Sequence, residues 1–247
     1  MPHIREESDN MANPYFQFKQ FTIWHDKCAM KVGTDGVLLG ALAPVDAKRL
    51  ILDVGAGTGL ISLMMAQRSV EWEGHITALE LDADAVCQSE ENIARTSWRD
   101  RITVVQADYT KFKSEKRYDL IVSNPPFFVD SLKSPTANRS QARHTDTLSF
   151  ESLIARSAEL LHADGDFVVI IPTDSEGNFV SLCLENSLHL NRRVAIQTIP
   201  NATPKRVVLF FSFQSSNLFD ETLLVELERH KYSEAYINLT KEFYLKM

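Results

Sequence analysis

The sequence predicts an α/β fold: a seven-stranded, mostly parallel sheet with helices on both faces and a C-terminal antiparallel hairpin. Three observations carry this expectation. Short β-branched runs alternate with helical periods through most of the chain, as a parallel sheet with crossover helices requires. The 247 residues are 44% hydrophobic and 24% charged, which suits a chain that buries a core and excludes a disordered or collagen-like one. The last two apolar runs are separated only by residues 200–206, with Pro200 and Pro204 as breakers. That is too short for a crossover helix, so these runs should pair antiparallel and end the sheet in a hairpin.

Taken in order, residues 1–13 are polar and carry Glu6, Glu7 and Asp9 where a signal peptide needs an apolar core. Segment 14–43 is an aromatic-rich entry. Strands are expected over 50–54, 75–81, 102–106, 118–123, 167–172, 193–199 and 207–214, each an apolar, β-branched run of strand length. Apolar side chains at three- and four-residue spacing place helices over 60–68, 83–94, 150–161 and 176–187. Residues 128–147 have no hydrophobic period and contain Pro135, Asn138, Arg139, Arg143 and His144, the marks of a long loop, which in a compact domain is usually functional or disordered. The tail from 223 reads as a strand and a short helix. One domain over 1–247 is expected, with a core over 50–214 and an extension over 220–247.

Cys28, Cys87 and Cys183 lie far apart with no Cys-x-x-Cys, so neither a zinc cluster nor a disulfide framework follows from them. The longest apolar runs are strand-sized, short of the roughly 20 residues that cross a bilayer. The expectation is a cytoplasmic protein without metal or membrane association. Net charge is −7, which taken whole argues against a nucleic-acid partner. Its distribution reverses that argument. Seven acids and no base lie between Glu71 and Glu91, equal to the whole deficit. Seven bases, Lys111, Lys113, Lys116, Arg117, Lys133, Arg139 and Arg143, stand against Glu115, Asp119 and Asp130. These seven are candidates for phosphate contact, set against the plainer reading of solvated loop charges.

The chemistry is written at strand ends. Asp53-x-Gly55-x-Gly57-x-Gly59 follows an apolar strand and opens a helix, a turn that lets backbone approach a ligand closely. A dinucleotide fingerprint needs Gly-x-Gly-x-x-Gly, and here the third glycine comes one place early. The motif resembles instead the first motif of Rossmann-like S-adenosylmethionine methyltransferases. Glu80, about 20 residues further at the next strand end, stands where a carboxylate accepts both ribose hydroxyls; the plainer reading is an exposed strand-end glutamate. By the same resemblance Asp108 accepts from the exocyclic amine of the cofactor adenine; by itself it is also a good helix cap.

The fourth strand ends in Asn124-Pro125-Pro126-Phe127, which resembles the Asn-Pro-Pro-Phe/Tyr motif of amino methyltransferases. Their substrates present a planar nitrogen, adenine N6 or the amide of glutamine. A conjugated amine is a poor nucleophile because its lone pair is delocalised. Acceptors at the Asn124 side chain and the Pro125 carbonyl would let that nitrogen rehybridise, and Phe127 would stack on a base taken out of its own stack. No metal is required. His25 and His144 are assigned no catalytic role, since amine transfer needs no base beforehand.

The entry narrows the family. Phe18-Lys19-Gln20-Phe21 and the run from His25 through Lys31-Val32-Gly33-Thr34-Asp35-Gly36 to Gly40 resemble the bacterial methyltransferases that modify adenine 37 of valine tRNA. Tyr232-Ser233-Glu234-Ala235-Tyr236 and the run from Leu239 to Leu245 resemble that family's end, so the likeness covers nearly the whole chain. It implies that Lys31, Thr34 and Gly36 close over the methionine end of S-adenosylmethionine, and that Asn124 also touches the cofactor. From the residues alone, Thr34-Asp35-Gly36 is a turn and helix N-cap. The expected function is methylation of adenine N6 in tRNA, whose anticodon loop offers unstacked bases. The alternatives are a glutamine methyltransferase acting on a protein such as a release factor, and a binding protein for the cofactor or RNA without turnover. A DNA adenine methyltransferase lacks room here for a recognition domain, and the glycine spacing disfavours a nicotinamide dehydrogenase. Oligomeric state is not legible in the sequence.

Overall fold

A computed structural model describes residues 13–28, 31–72, 74–126 and 148–246. Among these, the strands are β1 (Tyr15–Gln17), β2 (Thr22–Trp24), β3 (Leu50–Val54), β4 (His75–Glu80), β5 (Ile102–Gln106), β6 (Tyr118–Ser123), β7 (Leu161–Pro172), β8 (His189–Gln197), β9 (Arg206–Ser212), β10 (Phe219–Leu224), β11 (Glu226–Glu228) and β12 (Lys231–Tyr232). The helices are α1 (Thr34–Leu42), α2 (Leu60–Arg68), α3 (Ala83–Ala94), α4 (Phe150–Leu160), α5 (Glu176–Glu185) and α6 (Glu234–Thr240).

The main sheet has eight strands in the order β10-β8-β9-β7-β6-β3-β4-β5. Strands β7, β6, β3, β4 and β5 run parallel, and β9 is antiparallel to both β7 and β8. The antiparallel hairpin therefore forms, but it does not end the sheet as expected. Strand β10 adds parallel to β8 and takes the edge. Its polar Asp220 and Glu221 are held by Arg193 and Arg192 at 3.0 and 2.7 Å, so ion pairs rather than an apolar alternation mark this strand.

Alternation of side chains splits the core in two. Ile51, Ile76, Leu120 and Val122 face Leu38, Leu63, Met64 and Ile93 of α1, α2 and α3. Leu52, Val54, Ile121 and Phe167 face Leu153, Ile154 and Phe179 of α4 and α5. Helices α1 and α2 run side by side in the same direction: a Cβ on Gly36 would lie 3.0 Å from Leu60 Cδ2, and one on Gly40 would lie 2.8 Å from Met64 Sδ. Both N-termini therefore point to the carboxyl edge of the sheet. Entry and tail meet on this face, where Lys19 N–H donates to the Phe243 carbonyl at 2.7 Å and Phe18 bridges Tyr244. Among the described residues no helix is long and apolar enough to cross a membrane.

Candidate active site

Sheet register aligns the strand ends. Val54 pairs with Leu79 on one side and Ser123 on the other, and Glu80 pairs with Gln106. Gly55, Glu80, Gln106 and Asn124 thus lie in one row along the carboxyl edge. Strands β3 and β6 are neighbours joined by a chain that first builds β4 and β5, so the row crosses the switch point where open α/β sheets bind ligands. Ser123 Oγ ties the row by donating to the Val54 carbonyl at 2.9 Å.

The glycine loop turns through left-handed backbone at Gly55, Gly57 and Gly59, with φ of 74°, 54° and 81°. A Cβ at Gly55 or Gly57 would meet nothing within 4 Å, whereas one at Gly59 would meet Ser89 Oγ at 2.7 Å. The first two glycines therefore open onto a cradle, and the third lets the loop pack on α3.

Glu80 is fixed by this loop and by its own chain. Its Oε2 accepts from Gly57 N at 2.8 Å, and its Oε1 accepts from Leu81 N and Asp82 N at 2.8 and 3.0 Å. A carboxylate offers about four lone-pair positions. Three are filled by backbone amides, leaving one on Oε2, so Glu80 can accept one ribose hydroxyl while it holds Gly57. Asp108 accepts from Thr110 N and Oγ1 at 2.9 and 2.7 Å and pairs with Lys111 at 2.9 Å. Those contacts hold its carboxyl at about 2, first through the Thr110 hydroxyl. Lys111, a candidate for phosphate, pairs with this acid while its side chain stays exposed.

Asp53 lies beneath the loop rather than on its open side. It is fully buried, its Oδ2 accepts from Ser62 Oγ of α2 at 2.7 Å, and its Oδ1 has no partner among the described residues. Burial pushes its carboxyl up to about 7, against the opposing Ser62 bonds and with a contribution from Glu80. The folded chain therefore holds this proton more tightly than the unfolded one. Stability from this group is complete below the ordinary value of 3.8 and is lost as pH rises toward 7. Asp53→Asn keeps the acceptor for Ser62 without a charge. Its melting temperature relative to the parent should rise by ~5 °C between pH 5 and pH 8. Melting curves across that range that stay parallel would show that Asp53 is ionised throughout.

Asn124 is half-buried, Pro125 buried and Pro126 exposed. A residue before proline is held extended, and here Asn124 and Pro125 both precede one. At the other end of the cradle the structure corrects the expected cap. Thr34, Asp35 and Gly36 are the first turn of α1, and Gly33 is its N-cap, with no side-chain cap. The Asp35 carboxylate is used instead to accept from Arg206 Nε at 2.8 Å. Among the described residues no side chain caps the first-turn amides of α1, which can receive an anion. Lys31 and Thr34 are exposed, while Gly36 is buried against Leu60.

The remaining basic candidates separate. Lys113, Lys116 and Arg117 precede β6 and line a cavity of about 510 Å³ with Arg156 and Glu159. This lies at the amino edge of the sheet, about 20 Å from Asn124 over a six-residue strand. Phe127, Lys133, Arg139 and Arg143 lie outside the described residues. Burial with the nearby acids Glu80 and Asp82 pushes the Cys28 thiol up to about 11, and burial raises that of Cys183, so neither is a ready nucleophile. Sequence reasoning passed over Ser62, Ser123 and Asn92. Ser62 alone left a signal, a polar residue inside the apolar run Leu60-Ile61-Ser62-Leu63-Met64.

Residues 29–197, more than half of the chain, match the family described as the methyltransferase small domain. A protein of Phocaeicola vulgatus named tRNA1(Val) (adenine(37)-N6)-methyltransferase is 54% identical over 237 residues, covering 96% of this chain and 100% of its own. Proteins of the same name from Bacteroides thetaiotaomicron and Citrobacter koseri are 52% and 43% identical, covering 95% and 99% of this chain and 99% and 100% of theirs. Among solved structures, a predicted O-methyltransferase, Atu636 from Agrobacterium tumefaciens, superimposes with a TM-score of 0.66 at 18% identity, covering 85% of this chain and 96% of its own. The glycopeptide N-methyltransferase MtfA, solved with S-adenosyl-L-methionine, gives 0.53 at 15% identity over 75% of this chain and 90% of its own.

Proposed function

The chain belongs to the tRNA1(Val) (adenine(37)-N6)-methyltransferase family, and from that premise we propose how its strand-end residues carry the reaction. The activity is transfer of a methyl group from S-adenosylmethionine to the exocyclic N6 of adenine in tRNA, at adenine 37 of tRNA1(Val). The observation that carries the residue assignment is the row in which Asn124-Pro125 stands level with the open glycine cradle, across the switch point between β3 and β6.

The cradle fits the cofactor: two glycines face open space, a carboxylate keeps a free lone pair, and a helix N-terminus offers amides. Gly55, Gly57 and Gly59 shape the loop, Glu80 takes a ribose hydroxyl, and Asp108 accepts from the adenine amine. Lys31 and the first turn of α1 at Thr34 and Gly36 meet the carboxylate, with Asp53 supporting the loop from below. When bound, S-adenosylmethionine supplies an electrophilic methyl group on a sulfonium. The Asn124 side-chain oxygen and the Pro125 carbonyl accept the two hydrogens of the target amine, so its lone pair leaves conjugation and aims at the methyl. Pro126 fixes the Pro125 carbonyl, and Phe127 stacks on the base. The proton is lost to solvent after transfer.

The whole chain acts as one methyltransferase domain in the cytoplasm. Lys133, Arg139 and Arg143 follow the catalytic motif and contact phosphate near the target. Lys113, Lys116 and Arg117 meet more distant tRNA. Incubation with labelled S-adenosylmethionine, unmodified total tRNA and, separately, a protein extract tests the reading. N6-methyladenosine at position 37 of tRNA1(Val) is expected. Label in methylglutamine would move the site to a protein substrate, and label in neither would overturn the assignment.

A further inference from the structure

One stripe of α3 holds the entry segment. Gln88, Glu91, Asn92 and Arg95 recur at spacings of three and four, so they share a face of the helix and its C-cap. Asn92 is fully buried and makes three bonds, all to backbone. Its Oδ1 accepts from Trp24 N at 2.9 Å, and its Nδ2 donates to the Trp24 and Thr58 carbonyls, both at 2.9 Å. One turn earlier, buried Gln88 accepts from Lys27 N at 2.9 Å. Arg95 lies over the Trp24 ring at 5.2 Å, and Lys27 pairs with Glu91 at 2.5 Å.

Asn92 therefore joins two separate parts of the cofactor site. Trp24 ends β2 and leads through residues 25–28 to Lys31 and α1, while Thr58 lies between Gly57, which opens onto the cradle, and Gly59, which packs on α3. Residue 28 also passes close to Glu80 and Asp82, whose charges bear on the Cys28 thiol. Ser89, between Gln88 and Asn92, is the surface on which Gly59 packs.

We propose that Asn92 is a positioning residue for S-adenosylmethionine: it latches the entry segment to the glycine loop, so that cofactor binding meets both walls already assembled. The inference rests on the methyltransferase reading above. Its physical content is preorganisation, in which ordering two segments beforehand strengthens binding without adding a contact to the ligand. The latch does not touch the target amine and leaves the chemical step alone.

Asn92→Ala should weaken S-adenosylhomocysteine binding by calorimetry, and raise KM for S-adenosylmethionine, by roughly tenfold or more, as loss of buried hydrogen bonds predicts. At saturating cofactor its kcat should stay within about twofold of the parent. A residue that only supports the fold would lower the melting temperature and the active fraction, leaving the affinity of the folded fraction unchanged. That result would overturn the proposal. Hydrogen exchange on the unaltered chain decides the matter if the variant does not fold. Saturation with S-adenosylhomocysteine should slow the amides of Trp24 and Lys27 together with those of Gly57 and Gly59. Protection of the glycine amides alone would overturn the latch and leave the methyltransferase reading standing. Failure of the unaltered chain to bind S-adenosylhomocysteine would overturn both.

Discussion

Asn124→Ala is expected to lose roughly a thousandfold in kcat while binding S-adenosylmethionine within about tenfold of the parent, because a group that acts on developing charge in the transition state is removed, its one contact to the cofactor goes with it, and the glycine cradle is untouched. The amine of adenine is planar, and its lone pair is shared with the ring. It becomes a nucleophile only if its two hydrogens are drawn into an arrangement that the free base avoids. Two acceptors are therefore needed at fixed separation, and the chain provides them on adjacent residues. Pro125 holds Asn124 extended, and Pro126 does the same for Pro125, so neither acceptor has to be ordered during the reaction. Ser123 anchors the motif through its bond to Val54 at 2.9 Å, in the row that also ends in the cradle. Single-turnover rates with saturating cofactor and tRNA isolate this step from binding. A variant that methylates at the parental rate would remove Asn124 from the mechanism.

Much of this arrangement was legible because the strand ends carry their own punctuation. Strands β3, β5 and β6 and helices α2 and α3 fall on the residues expected, since apolar runs there stop at glycine, at an acid or at paired prolines. Strand β8 begins at His189 rather than near 193, because its first half is polar and only partly buried and gives no apolar signal. Strand β10 is harder still, since its place in the sheet depends on Arg192 and Arg193 of a distant strand. The charge count shows a different limit. A strand carries the chain from one edge of the sheet to the other, so Lys116 and Arg117 before β6 lie at the opposite edge from Asn124 after it, although they are near in sequence. Counting charges along the chain cannot show which edge they occupy. Asn92 left no trace either: a polar residue in an amphipathic helix reads as solvent-facing until the entry segment is seen to cover it.

The second large effect is at Glu80. Glu80→Ala should weaken S-adenosylmethionine binding by about a hundredfold or more, through loss of a charge-assisted hydrogen bond to ribose and of the loop's own restraint. The carboxylate spends three of its four acceptor positions on Gly57, Leu81 and Asp82, so the alanine variant frees three amides along with the ligand contact. Glu80→Gln separates the two contributions. A glutamine retains one acceptor oxygen, but its amide nitrogen must face a backbone N–H, either that of Gly57 or those of Leu81 and Asp82. Donor against donor is worse than an empty site, so the glutamine variant should bind the cofactor no better than the alanine variant, although it is closer in shape. An acid whose only role was to accept ribose hydroxyls would behave otherwise, and glutamine would then recover much of the affinity. Calorimetric titration of S-adenosylhomocysteine into the three proteins decides between these, and recovery in Glu80→Gln would show that the Gly57 contact is incidental. In both variants kcat at saturating cofactor should fall far less than in Asn124→Ala. Glu80 holds the reactants, whereas Asn124 acts on the amine itself, and the two substitutions should therefore divide their losses between KM and kcat in opposite ways.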